Sequence, residues 1–103
     1  MTRIEAVRGE VVQFQWHFAT FGLTATNVRS THIHVEVHKD DNLVVRLNNL
    51  DGGVTVDIRK NRIKASVKTM DFDTGLYNIW VQVLRGDGSI VRQPTHFLSV
   101  IKG

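Results

Sequence analysis

Three histidines and a glutamate recur at every second position in His32-Ile33-His34-Val35-Glu36-Val37-His38. Alternation of this kind is the two-residue period of a strand, and it sends the four polar side chains to one face, ~7 Å apart along the strand. His-x-His on a strand can bring two imidazoles, His32 and His34, onto one metal ion. A complete zinc site needs further ligands, and no second histidine or carboxylate cluster elsewhere in the chain supplies a third. The same pattern arises where a strand face meets water or a partner, which is the reading favoured here. A ligand-binding β-domain, with a metal or carbohydrate site on the His32 to His38 face, is the alternative.

Catalytic chemistry finds less to work with. The chain has no cysteine, no serine in a nucleophile elbow, and no pair of carboxylates on one strand face. Asp71 and Asp73 are close in sequence, but beside Gly75 their expected role is to cap or bond the backbone of a turn. Neither an enzyme nor a cofactor is expected from this census. Arg85-Gly86-Asp87 spells an integrin-type tripeptide, yet Gly-Asp-Gly is also what a hairpin tip requires, and turn chemistry accounts for it.

The strand on which function and fold meet is Asp73-Thr74-Gly75-Leu76-Tyr77-Asn78-Ile79-Trp80-Val81-Gln82-Val83. Tyr77, Ile79, Val81 and Val83 alternate inward, so this is a central strand, and Asp-x-Gly-x-Tyr is the spacing of a tyrosine corner. Trp80 and Gln82 then face outward, on a strand that neighbours the histidine strand in immunoglobulin-like sheets. An outward Trp80 reads either as an interface anchor or as a ring lying flat under a loop. The candidate interface is Trp80, Gln82, His32, His34, Glu36 and His38.

The elements that must position these residues are all short strands. Ile4 to Val7 reads as an edge strand, with Arg8-Gly9-Glu10 as the turn after it. Val12, Phe14, Trp16 and Phe18 alternate inward with Val11, Gln13, Gln15 and His17 outward. Thr24 to Ser30 is a polar connection, Leu43 to Leu47 a strand, and Asn48 to Gly53 the strongest loop signal. Val54, Val56 and Ile58 form the next strand. Ile63, Ala65 and Val67 follow as another, although Ile63, Val67 and Met70 also match helical spacing. Phe72 is expected to plug one end of the core. After the Arg85 to Ser89 hairpin the last strand starts at Ile90, Pro94 marks an edge or a kink, and the pattern does not decide whether Phe97, Ser99 and Ile101 or His96, Leu98 and Val100 point inward.

Seven to nine short strands with turns about every ten residues predict an all-β, immunoglobulin-like antiparallel sandwich forming one domain over residues 1–103. The core is expected in Phe14, Trp16, Phe18, Ile33, Val35, Val37, Ile63, Val67, Tyr77, Ile79, Val81 and Val83. Apolar residues make up 42% and charged residues 22% of the 103, ordinary for a globular chain. The net charge of +3 is scattered rather than striped, so no nucleic-acid partner is expected. Met1-Thr2-Arg3-Ile4-Glu5 has no apolar leader region and no run approaches the ~18 residues of a membrane span, so no membrane is expected and the chain is expected to be made in the cytoplasm.

The order of features resembles a known group. Ile4 with Arg8-Gly9-Glu10, an aromatic-rich strand, Leu23-Thr24 leading into a strand near Val28, a middle hairpin, Gly75-x-Tyr77-x-Ile79-x-Val81-x-Val83 and a closing Asp87-Gly88 hairpin are similar to the immunoglobulin-like N-terminal domains of tailed-phage upper baseplate proteins and related small virion proteins. That group usually starts with Arg-Gly-Asp, whereas Glu10 follows Arg8-Gly9 here, keeping the charge and the turn. The resemblance implies a structural, non-enzymatic module of a phage virion that docks onto other virion proteins, often as a homo-oligomer or ring. The receptor-directed C-terminal region of the group does not follow before Gly103, which points to a small tail or baseplate adaptor or decoration subunit, made in the host cytoplasm and located in the virion.

Overall fold

The computed structural model of the chain, which describes residues 2–28 and 31–103, has eight strands. They are β1 (Thr2–Val7), β2 (Val11–His17), β3 (His32–Lys39), β4 (Asn42–Asn48), β5 (Val54–Asp57), β6 (Arg62–Lys68), β7 (Gly75–Leu84) and β8 (Ile90–Ile101). Met1, Arg29 and Ser30 lie outside the described residues, so the polar connection expected over Thr24 to Ser30 is described only as far as Val28. Val28 itself is not in a strand: it is buried in a turn closed by its own N–H donating to Thr24 O at 3.0 Å.

Each strand buries the face its alternation marks. In β2, Phe14 and Trp16 are buried and Val11, Gln13, Gln15 and His17 exposed. In β6, Ile63, Ala65 and Val67 are all buried, which only the two-residue period allows and which removes the helical reading. Strand β5 ends at Asp57, so Ile58 belongs to the following turn and is exposed rather than continuing the inward row.

The strands form two sheets, ordered β1-β8-β7-β3-β4 and β2-β6-β5, and β7 occupies the centre of the larger one. Among the named strands the pairings are antiparallel except β1 with β8, which is parallel. After Val7 the turn Arg8-Gly9-Glu10 carries the chain across to the other sheet, so β1 and β2 belong to different sheets and do not pair.

The inner faces meet in one core that contains every residue expected there, together with Phe21, Leu23, Val54, Leu98 and Val100. Phe21 reaches it through a 3-10 turn, Phe18–Phe21, that ends β2. Tyr77 donates its hydroxyl proton to Asp73 O at 2.6 Å, which forms the corner, and Phe72 stacks on its ring at 4.9 Å and caps that end of the core. The corner uses the main-chain oxygen of Asp73, so neither aspartate carboxylate does the bonding that the sequence suggested.

Pro94 lies at an irregularity. The β7–β8 register shifts between Ile79 and Trp80, leaving one extra residue in β8 between Pro94 and His96. A one-residue slip exchanges the two faces of a strand. Val91 and Gln93 therefore point inward before it, and His96, Leu98 and Val100 after it, with Leu98 and Val100 fully buried. His96 packs between Phe14 at 5.2 Å and Trp16 at 5.8 Å, and burial pushes its imidazole pKa down.

Candidate functional site

Register brings the six residues of the candidate interface together. His34 pairs with Gln82 and Glu36 with Trp80 across β3 and β7, and His38 lies opposite Asn78 on the same outer face. What the sequence does not show is the contribution of the flanking strands: Arg46 of β4 pairs with Glu36, and Arg92 of β8 with Gln82.

Glu36 points outward by register yet its side chain is only 4% exposed, because these neighbours close over it. Its Oε2 accepts from Arg46 Nε at 3.1 Å and Nη2 at 3.0 Å. Its Oε1 accepts from Arg92 Nη2 at 3.2 Å and lies 2.9 Å from His38 Nε2. An ionised carboxylate only accepts, so His38 carries its proton on Nε2. Burial works against ionisation of Glu36, but the hydrogen bonds from His38 and Arg92 and the charges of Arg46 and Arg92 outweigh it and hold the pKa below the ordinary value.

Trp80 is neither bare nor under a loop. The guanidinium of Arg92 lies over its ring at 4.3 Å and the His38 ring meets it edge-on at 6.5 Å, leaving it half-buried. Cation–π contact of this kind contributes roughly 0.5–1 kcal/mol at a partly exposed site. Arg92 thus contacts Trp80 and Glu36 at once.

Around this centre the same face carries Val7, Leu43, Leu76, Leu84, Ile90 and Ile101, all exposed, with Ile90 at 61%. The outer face of the smaller sheet is different in kind: Gln13, Gln15, Arg62, Lys64, Ser66 and Lys68 dominate it. Histidine geometry does not assemble a metal centre. His32 is exposed, His38 is committed to Glu36, and among the described residues no group of three His, Cys, Asp or Glu side chains gathers to hold an ion. A groove of about 710 Å³ between β4 and β6, lined by Val45, Leu47, Val67 and Phe72, opens elsewhere and includes none of these residues.

Strand order, the tyrosine corner and a cysteine-free core define an immunoglobulin-like β-sandwich without an inter-sheet disulfide, with Ile79 standing two residues after the corner tyrosine where antibody domains place a cysteine. No family model matches the chain, and no curated protein matches it. Among solved structures it is similar to Drosophila OTK, extracellular domains 3-5, at 13% identity and a TM-score of 0.47, over 100% of this chain and 33% of that one. This chain thus spans a third of the length of that neighbour.

Proposed function

We propose that this domain is a non-enzymatic assembly module that binds protein through the outer face of its five-stranded sheet. One observation carries the reading: exposed apolar side chains ring a centre in which Trp80, Arg92, Glu36 and Arg46 are already locked together. Aromatic and arginine anchors surrounded by apolar contacts are the anatomy of a protein interface. Five strands at ~4.8 Å spacing and about nine residues each give a face on the order of 700 Å², close to the ~800 Å² per partner that a stable complex uses. The setting we propose is the virion of a tailed phage, with other virion proteins or further copies of this chain as partners. That setting rests on the sequence resemblance to upper baseplate proteins.

Solution mass measurement tests the module. A ring-sized or dimeric species, or co-sedimentation with phage particles, is the expected result. A strict monomer whose melting temperature rises with zinc, nickel, manganese or a sugar would instead support ligand binding at the histidine face.

A further inference from the structure

Four strands border the two sheets, and three of them are protected against pairing with another chain. The free edge of β1 presents charged Arg3 and Glu5, and Val7 N–H, the third donor on that side, already bonds Glu10 Oε1 at 2.8 Å. The edge of β4 carries a bulge, since Val44 has no partner between the pairs Val37–Val45 and His38–Leu43. The β5 edge is only four residues long. Charges, bulges and shortness are the usual means of blunting an edge.

Strand β2 has none of these over its seven residues. Thr69 N–H donates to Glu10 O and Phe18 N–H to Asn61 O, so the even-numbered residues of β2 turn their backbone groups toward β6. By the two-residue period, the N–H and C=O groups of Val11, Gln13, Gln15 and His17 point to the open side, where no strand pairs with them among the described residues. On the inward side, Trp16 is buried at the seam where β2 meets His96, and its Nε1 has no hydrogen-bond partner among the described residues.

Charge identifies the kind of strand that fits. Along β2, β5, β6 and the turn joining the last two, Arg59, Lys60, Arg62, Lys64 and Lys68 stand against Asp57 as the sole acidic residue. Arg62, Lys64 and Lys68 share the outer face with Gln13, Gln15 and His17, about two strand spacings (~10 Å) from an added strand and within a Debye length of it. We infer that the open edge of β2 accepts an extended segment of a partner protein in which acidic residues alternate with apolar ones. The main-chain groups pair with Val11 to His17, the acidic side chains lie on the basic outer face, and the apolar side chains cover the seam beside Trp16. A second copy docking β2 against β2 brings two basic faces into one sheet, and charge disfavours it.

The probe is a blocked octapeptide of alternating valine and glutamate, added at millimolar concentration to the intact protein, with an alternating valine–lysine octapeptide as comparison. Hydrogen exchange at the Val11, Gln13, Gln15 and His17 amides should slow at least tenfold with the acidic peptide only, and the effect should weaken as salt rises. Gln15→Pro removes a donor that the fold itself does not use and should abolish the effect. The variant Lys64→Glu with Lys68→Glu, which leaves the β2 backbone unchanged, should abolish it too. Unchanged exchange at those amides, equal protection by the lysine peptide, or perturbation confined to β4 would overturn the inference. Concentration-dependent protection without any peptide would overturn it in favour of self-pairing.

Discussion

Glu36 and Tyr77 are the residues at which single atoms decide most. The Glu36 carboxylate is buried, but Arg46 and Arg92 are 49% and 40% exposed, so both can rehydrate if it is neutralised. Glu36→Gln should therefore cost about 1–2 kcal/mol at neutral pH, below the usual loss for breaking a fully buried pair. Because the folded pKa lies below the ordinary value of 4.5, the contribution is fully present above that pH and is lost as pH falls through the folded pKa. Urea midpoints of parent and variant should accordingly draw together as pH is lowered below 4.5; a gap that does not change with pH would mean the carboxylate's charge is not what stabilises the face. Tyr77→Phe removes one part-buried hydroxyl bond to the Asp73 carbonyl and should lower stability by about 1 kcal/mol. Equal denaturation midpoints would show that the corner bond contributes nothing.

At the scale of elements, turns and bulges decide what the strands present. Gly53, at φ +89°, joins β4 to β5, and an added Cβ there would sit 2.7 Å from Leu47 Cδ2 and 3.0 Å from Leu47 Cβ. Gly52 has φ +114° with nothing within 4 Å of such a Cβ. Both Gly→Ala changes pay for positive φ, but only Gly53→Ala also displaces a leucine that packs on the core. Gly53→Ala should cost about 1–3 kcal/mol and lower the melting temperature more than Gly52→Ala does. The reverse order would indicate that Leu47 yields freely. The extra residue beside Pro94 works the same way on a longer reach: it keeps Arg92 over Trp80 on the outer face while turning Leu98 and Val100 into the core.

For the whole molecule, the contrast between its two outer faces is the feature with functional weight. One is apolar at its rim with ion pairs and a cation–π contact at its centre, and the other is basic beside an open edge. If the first face holds copies or neighbours together, Leu84→Asp with Ile90→Asp should shift the solution mass toward the monomer while the melting profile of the domain is kept, since both side chains are exposed. Retention of the oligomer in that double variant would place the contact elsewhere.

Much of this was legible from residue order because the facing of a side chain in a strand is a local property. Alternation alone marked Phe14, Trp16, Ile33, Val35, Val37, Tyr77, Ile79, Val81 and Val83 as core, and Asp-x-Gly-x-Tyr marked the corner. The same rule put Trp80, His34 and Glu36 on one outer face. Tertiary structure alone decided what that face is. Arg46 lies 10 residues from Glu36 and Arg92 lies 56, and only pairing of β4 and β8 with their neighbours brings both guanidinium groups onto one carboxylate. The facing of His96, Leu98 and Val100 was equally out of reach, because a single extra residue in β8 reverses it and its position is set by pairing with β7. Local periodicity states which way a side chain points; what it meets there depends on strands distant in sequence.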